Sequence, residues 1–144
     1  CNRRSLVKMA GAGFIIIREF NGTKLILGLV GPDFHQKRCA GTYDIPKGVI
    51  DNGETRWEAA KREAKEEAGY IITDDMVKAG PYTDGLLTIW MAQVDDDPII
   101  VPNPDSGIIE HRGYKWLKPE DLVVDCYNYL VPCVEWACKE ISNV

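Results

Sequence analysis

Apolar positions along the chain change their period several times, and each change marks an element. AGAGFIIIREF (10–20) and TKLILGLV (23–30) are rich in aliphatic and β-branched residues, and Asn21-Gly22 between them is a strong hairpin signal. The sequon that Thr23 completes is read as that turn and not as a glycosylation site. GPDFHQKRCAG (31–41) reads as a polar loop. TYDIPKG (42–48) reads as a short extended piece, because a residue before proline, here Ile45, is pushed out of the helical region. Residues 56–68 are predicted helical: Thr55 and Glu58 have capping-box spacing, and Gly69 suits the C-terminal cap. DGLLTIWMAQV (84–94) reads as a strand, residues 95–107 as a loop, and IIEHRGYKWL (108–117) as another strand. Pro119-Glu120-Asp121 opens a turn. Tyr127, Leu130, Val131, Val134, Cys138 and Ile141 then recur at helical spacing, which predicts one amphipathic helix over 125–141, kinked at Pro132.

These elements make an α/β protein. At 144 residues and 45% hydrophobic, residues 1–144 are expected to form a single domain with a sizeable core. No apolar run reaches the roughly 18 to 20 residues of a membrane helix, and CNRRSLVKMAGAG has no signal-peptide stretch. A cytoplasmic protein without a membrane partner is the expectation. The five cysteines are odd in number and none has the spacing of a zinc knuckle or redox pair, so free thiols are expected. A net charge of −5 disfavours nucleic acid as the partner. A polyanionic substrate would then need a local cation.

The acidic residues of 48–70 give that cation a place. At about 100° per residue, Glu63, Glu66 and Glu67 fall within a roughly 100° arc of the helix. Trp57, Ala60, Ala64 and Ala68 form the adjoining apolar stripe, so the acidic arc borders the buried face, where a helix meets a cleft. Like charges three and four apart repel, and hard divalent cations with oxygen ligands relieve that repulsion. Arg62 beside them can hold a carboxylate through two hydrogen bonds. Gly48 and Gly53 bracket a turning loop that delivers Glu54 and backbone carbonyls to the start of the helix. Asp95, Asp96 and Asp97 lack the spacing of a calcium loop and read as solvated charge.

The spacing Gly48, five residues, Glu54, seven residues, Arg62-Glu63-Ala64, one residue, Glu66-Glu67, one residue, Gly69-Tyr70 resembles the signature of the Nudix hydrolase superfamily. Ala64 and Tyr70 stand where that family prefers bulky aliphatic residues, which bears on local packing. YKWLKPEDL (114–122) is also similar to a frequent family ending. The resemblance implies an α/β/α sandwich with a mixed β-sheet and a hydrolase that cleaves a nucleoside diphosphate linked to another moiety. It implies Mg2+ or Mn2+ as cofactor, on Glu63, Glu66, Glu67 and a backbone carbonyl near Lys47. Arg62 would orient Glu63, and Glu54 would support the loop. The general base would be a box glutamate or Glu110, outside the box.

IPKG before the box is similar to Nudix enzymes acting on dinucleoside polyphosphates and diphosphoinositol polyphosphates, and a dinucleoside polyphosphate is the first expectation for the small-molecule substrate. Lys47 is then a phosphate-binding candidate, with Lys37 and Arg38 as added positive charge. Tyr43, Phe34, Tyr82 and Trp90 could stack on a base. Alternatives are an ADP-ribose or other nucleotide-derivative pyrophosphatase, an RNA 5′-end pyrophosphohydrolase, and a non-catalytic nucleotide-binding module. ADP-ribose is weakened because no proline follows the box by about fifteen residues, and the acidic balance disfavours RNA.

Overall fold

The computed structural model describes residues 10–101 and 110–144, which build one mixed sheet covered by helices on both faces. Strand β1 (Gly11–Phe20) is its axis. β2 (Thr23–Val30) pairs with it antiparallel after the turn at Asn21, whose φ is 49°, and β6 (Leu87–Gln93) pairs with its other edge in parallel. Side chains alternate across β1 as strand geometry requires. Ile15 and Ile17 enter one apolar layer, and Ala12, Phe14 and Ile16 the other.

β1 and β2 pair only from Ile17 to Phe20. Beyond that, the segment after the short helix α1 (Asp33–Cys39) separates them. Its β3 (Tyr43–Asp44) pairs with β2, and its β4 (Lys47–Val49) pairs with Gly11–Gly13 of β1. Ile45-Pro46 crosses between the two strands, and Phe14 N donates to the Pro46 carbonyl at 3.0 Å. A Cβ on Gly13 would stand 2.2 Å from that carbonyl oxygen, so only glycine admits the crossing.

The box helix α2 (Arg56–Ala68) is capped as its sequence predicts. Thr55 Oγ1 accepts from Glu58 N, Glu58 reaches back to Thr55 N, and Gly69 closes the helix at φ 75°. Ala59, Ala60, Ala64 and Ala68 are fully buried against Phe14 and Ile16, and their small side chains let the helix lie close on the sheet. Tyr70 fits where an aliphatic residue was expected: its ring is buried and its hydroxyl donates to the Asp96 carbonyl at 2.7 Å. The opposite face carries α3 (Pro119–Asp125) and α4 (Val131–Ile141), with Leu122, Leu130, Val134 and Ala137 buried in the first layer.

Three expectations are corrected. Residues 31–41 contain α1, whose signals are Pro32 at its start, Asp33 in its first turn and Lys37 and Arg38 in its last. The strand at 84 is preceded by β5 (Val77–Asp84), an edge strand hidden in sequence by Gly80-Pro81 and by register shifts around Ala79. The single helix over 125–141 is interrupted: Asp125 ends α3, a 3-10 turn spans Asn128–Leu130, and Pro132 sits in the first turn of α4, where its missing N–H costs nothing. β7 (Gly113–Leu117) pairs with β2, and residues 108–109 of that expected strand lie outside the described residues. No described helix is long and apolar enough to cross a membrane.

Gly13→Ala should destabilise the protein by about 2–3 kcal/mol, because the new methyl meets backbone and not a movable side chain. A denaturant midpoint unchanged from the parent would refute the pinch at Pro46.

Candidate active site

The parting of β1 and β2 opens a cleft of about 310 Å³ above the box helix. Glu63, Glu66, Glu67 and Arg62 line it from α2, Lys47 and Gly48 from β4, and Glu110 and His111 from the approach to β7. A Cβ on Gly48 would fall 2.2 Å from Glu63 Oε1, so the glycine is what lets that carboxylate lie against the backbone.

Arg62 holds more than sequence reasoning assigned to it. Its Nε and Nη2 make the two-point contact with Glu54, at 2.8 and 3.0 Å. Nη1 donates to Glu63 Oε1 at 2.8 Å and to Glu66 Oε2 at 3.2 Å, and Nη2 also reaches the Val49 carbonyl at 2.9 Å. Glu54 is held below the usual carboxylate range chiefly by the hydrogen bond from Arg62, and its Oε1 accepts from Asp51 N at 3.0 Å, closing the loop. Glu63 moves the other way: burial raises its pKa despite Arg62. Burial and the charge of Asp44 raise that of Glu67 well above its ordinary value. Oxygen donors already crowded beyond what Arg62 neutralises are a donor set that fits a hard divalent cation. Glu67 and Glu110 also lie within 4.8 Å of each other, ligand atom to ligand atom.

Lys47 was expected to offer its ammonium to a phosphate. The structure pairs it instead with Asp44, Nζ to Oδ1 at 2.9 Å, with the lysine side chain 11% exposed. Nζ also lies 5.3 Å from the centre of the Tyr129 ring. Burial pushes Asp44 up, yet the Lys47 charge and a hydrogen bond with His111 outweigh it and keep the carboxyl well below its ordinary range. What Lys47 gives the box is its backbone N–H, which donates to Glu67 Oε1 at 2.8 Å.

The other expected substrate residues are not among those lining the cleft. Tyr43 packs into the first layer beside Gly28, Tyr82 stacks on Trp136 with centroids 5.2 Å apart, and Trp90 meets Trp57 edge-on at 5.1 Å. Arg38 is exposed on α1. Phe34 is 64% exposed, with its ring 4.1 Å from that of His35. Sequence reasoning missed Asp44, His111 and Tyr129. Asp44 standing three residues before Lys47 was the one local signal.

A sheet parted over an acid-edged helix, with one arginine gathering the acids, defines a known class. The NUDIX domain family model matches residues 8–132, and the chain belongs to that family. It is a hydrolase acting on phosphoanhydride bonds. The asymmetrical bis(5′-nucleosyl)-tetraphosphatase of Caenorhabditis elegans is 30% identical to it, over 78% of this chain and 80% of the relative. A C. elegans Ap4A hydrolase, solved as a binary complex, superposes with a TM-score of 0.68 at 25% identity, covering 94% of this chain and 99% of the other. The NUDIX domain of Shewanella oneidensis NrtR complexed with ADP ribose shares the fold, with a TM-score of 0.61 at 13% identity over 92% and 88% of the two chains.

Lys47→Met should cost about 3–5 kcal/mol, because it strands the buried Asp44 charge. In the parent, the depressed Asp44 pKa contributes stability above pH 3.8, its ordinary value, and that stability is lost only as pH falls below it. In the variant burial acts on Asp44 without its strongest partner, so the deficit should be largest at neutral pH and shrink on acidification. Urea midpoints from pH 4 to 8 test this, and a deficit independent of pH would refute the buried pair.

Proposed function

We propose that this chain is a divalent-metal-dependent pyrophosphohydrolase whose substrate is a dinucleoside polyphosphate of the Ap4A kind, cleaved by water attack on phosphorus. The observation that carries the reading is the convergence of Glu63, Glu66, Glu67 and Glu110 on one cleft, with Arg62 as the only arginine lining it among the described residues. The C. elegans relative supports the substrate class.

In this reading Glu63, Glu66, Glu67 and the backbone carbonyl at Lys47 hold Mg2+ or Mn2+. A cation bound there supplies neutralisation of phosphate charge and a water of lowered pKa. The side chains do the rest. Arg62 fixes Glu63 and Glu66 so that their oxygens are placed before substrate arrives, which spares reorganisation during reaction. Glu54 and Asp51 keep the Gly48–Glu54 loop against that arginine. Either Glu67, tethered by Lys47 N–H, or Glu110, on the approach to β7, takes the proton from the attacking water. We place residues 1–144 in one domain and the protein in the cytoplasm. The four free thiols among the described residues, Cys39, Cys126, Cys133 and Cys138, suit a reducing compartment.

Arg62→Lys keeps the charge but cannot grip Glu54 while reaching Glu63, Glu66 and Val49. It should lower kcat/KM by about 10²-fold, from the role of such fixed donors in placing catalytic groups. A variant within threefold of the parent would make Arg62 a dispensable brace.

The substrate is tested by kcat/KM across diadenosine tetraphosphate, ADP-ribose, nucleoside triphosphates and 5′-triphosphorylated RNA with Mg2+. Diadenosine tetraphosphate should exceed ADP-ribose by at least about tenfold, the difference that one well-placed contact of roughly 1.4 kcal/mol makes. A ratio below one would reject the substrate class, and binding of nucleotides without turnover would reject catalysis.

A further inference from the structure

Asp96 and Asp97 follow β6, and both are tied to other elements. The Asp96 carbonyl accepts from the Tyr70 hydroxyl at 2.7 Å, just beyond the end of the box helix. Asp97 Oδ1 accepts from Arg18 Nη1 of β1 at 2.7 Å and from Trp116 Nε1 of β7 at 2.9 Å. Pro98 fixes its own φ. Ile99 N then donates to the Ala68 carbonyl at 2.9 Å, and Gly69 makes room for it: a Cβ there would stand 3.0 Å from that of Ile99. Tyr70 stands where an aliphatic residue was expected, and no aliphatic side chain could supply its hydrogen bond.

These contacts hold the next two residues in place. Ile100 and Val101 line the cleft together with Glu63, Glu66 and Glu67. With Val49 they are the only aliphatic side chains lining it among the described residues. Ile100 also packs on the apolar layer that seats the box helix, and Val101 is 44% exposed. Phosphate gives up its water only for charged or hydrogen-bonding partners, so an aliphatic surface does not attract it. The face of a nucleobase is apolar enough to gain by burial there. A dinucleoside polyphosphate carries both kinds of group, and the cleft has both kinds of lining.

We propose that Ile100 and Val101 are the contact for a nucleoside of the substrate, and that Tyr70 is the positioning residue that fixes them, acting through Asp96 and Ile99. The contact rests on the proposed reading of the cleft as a dinucleoside polyphosphate site, and it assigns recognition of the nucleoside to residues outside the box. The glutamates and their cation then serve the phosphate bridge, and the segment after β6 distinguishes a nucleotide from a bare polyphosphate.

Two probes separate these roles. One is diadenosine tetraphosphate with methylene groups in place of its bridging oxygens, which water cannot cleave. The other is inorganic tripolyphosphate, which has the phosphates and no nucleoside. By calorimetry with Mg2+, Val101→Ser should bind the methylene analogue about tenfold more weakly and tripolyphosphate within about twofold of the parent, as expected for loss of an aliphatic contact. Tyr70→Phe keeps the ring and removes only the hydroxyl. It should show the same selective loss, with the Ile99 amide exchanging about 2- to 10-fold faster by NMR, the worth of one hydrogen bond. Equal losses for both ligands, or no loss in Val101→Ser, overturn the nucleoside contact. Unchanged affinity and Ile99 exchange in Tyr70→Phe overturn the positioning role. Either result leaves the proposed hydrolysis standing if the parent cleaves diadenosine tetraphosphate. Selective binding by a parent that cleaves no dinucleoside polyphosphate overturns the hydrolysis and leaves the contact, and a parent that binds neither probe overturns both.

Discussion

Glu54, Glu63 and Glu66 converge on the single guanidinium of Arg62, and the loop leading into the box helix is fixed by the same group through Val49. Few side chains could do this. A planar fork with five donors can serve several oxygens at once, and each charge-assisted bond restrains the others. Removing the fork would leave a row of carboxylates in mutual repulsion at the mouth of a cleft. The bonds reach only part of the charge, and burial holds Glu63 and Glu67 above the usual carboxylate range.

A second restraint acts from below. The Asp44 carboxylate ties the strand that parts β1 from β2 to the approach to β7, with Lys47 on one oxygen and His111 on the other. Both contacts are buried, so water cannot compete for them and their geometry is rigid. The cleft is therefore held by an arginine that lines it and by an aspartate that ties together two of its lining residues, Lys47 and His111. The box helix supplies the acids, and neither restraint is made by the acids themselves.

Much of this was legible in sequence where a feature is local. Thr55, Glu58 and Gly69 mark the ends of the box helix because caps are written within a few residues, and the acidic arc beside the alanines follows from helical period alone. Arg62 was read as a partner of Glu63, its neighbour in sequence. Its two-point contact with Glu54 depends on how the loop returns and could not be counted from spacing. Asp44 and His111 are 67 residues apart, and nothing at either position announces the other. The aromatic residues misled for the same reason. Tyr43, Tyr82 and Trp90 have faces suited to a base, and only packing shows that protein already occupies them.

The box helix carries two patterns of the same period, offset around its axis: alanines that seat it on β1 and glutamates that edge the cleft. Its 13 residues thus encode a bearing surface and a working surface in one strip of chain. The two are mechanically inseparable. Any side chain larger than alanine on the seat would lift the helix as a rigid rod and carry every glutamate with it by the same displacement, so the coordinates of the acids are written in the volumes of residues that never meet them.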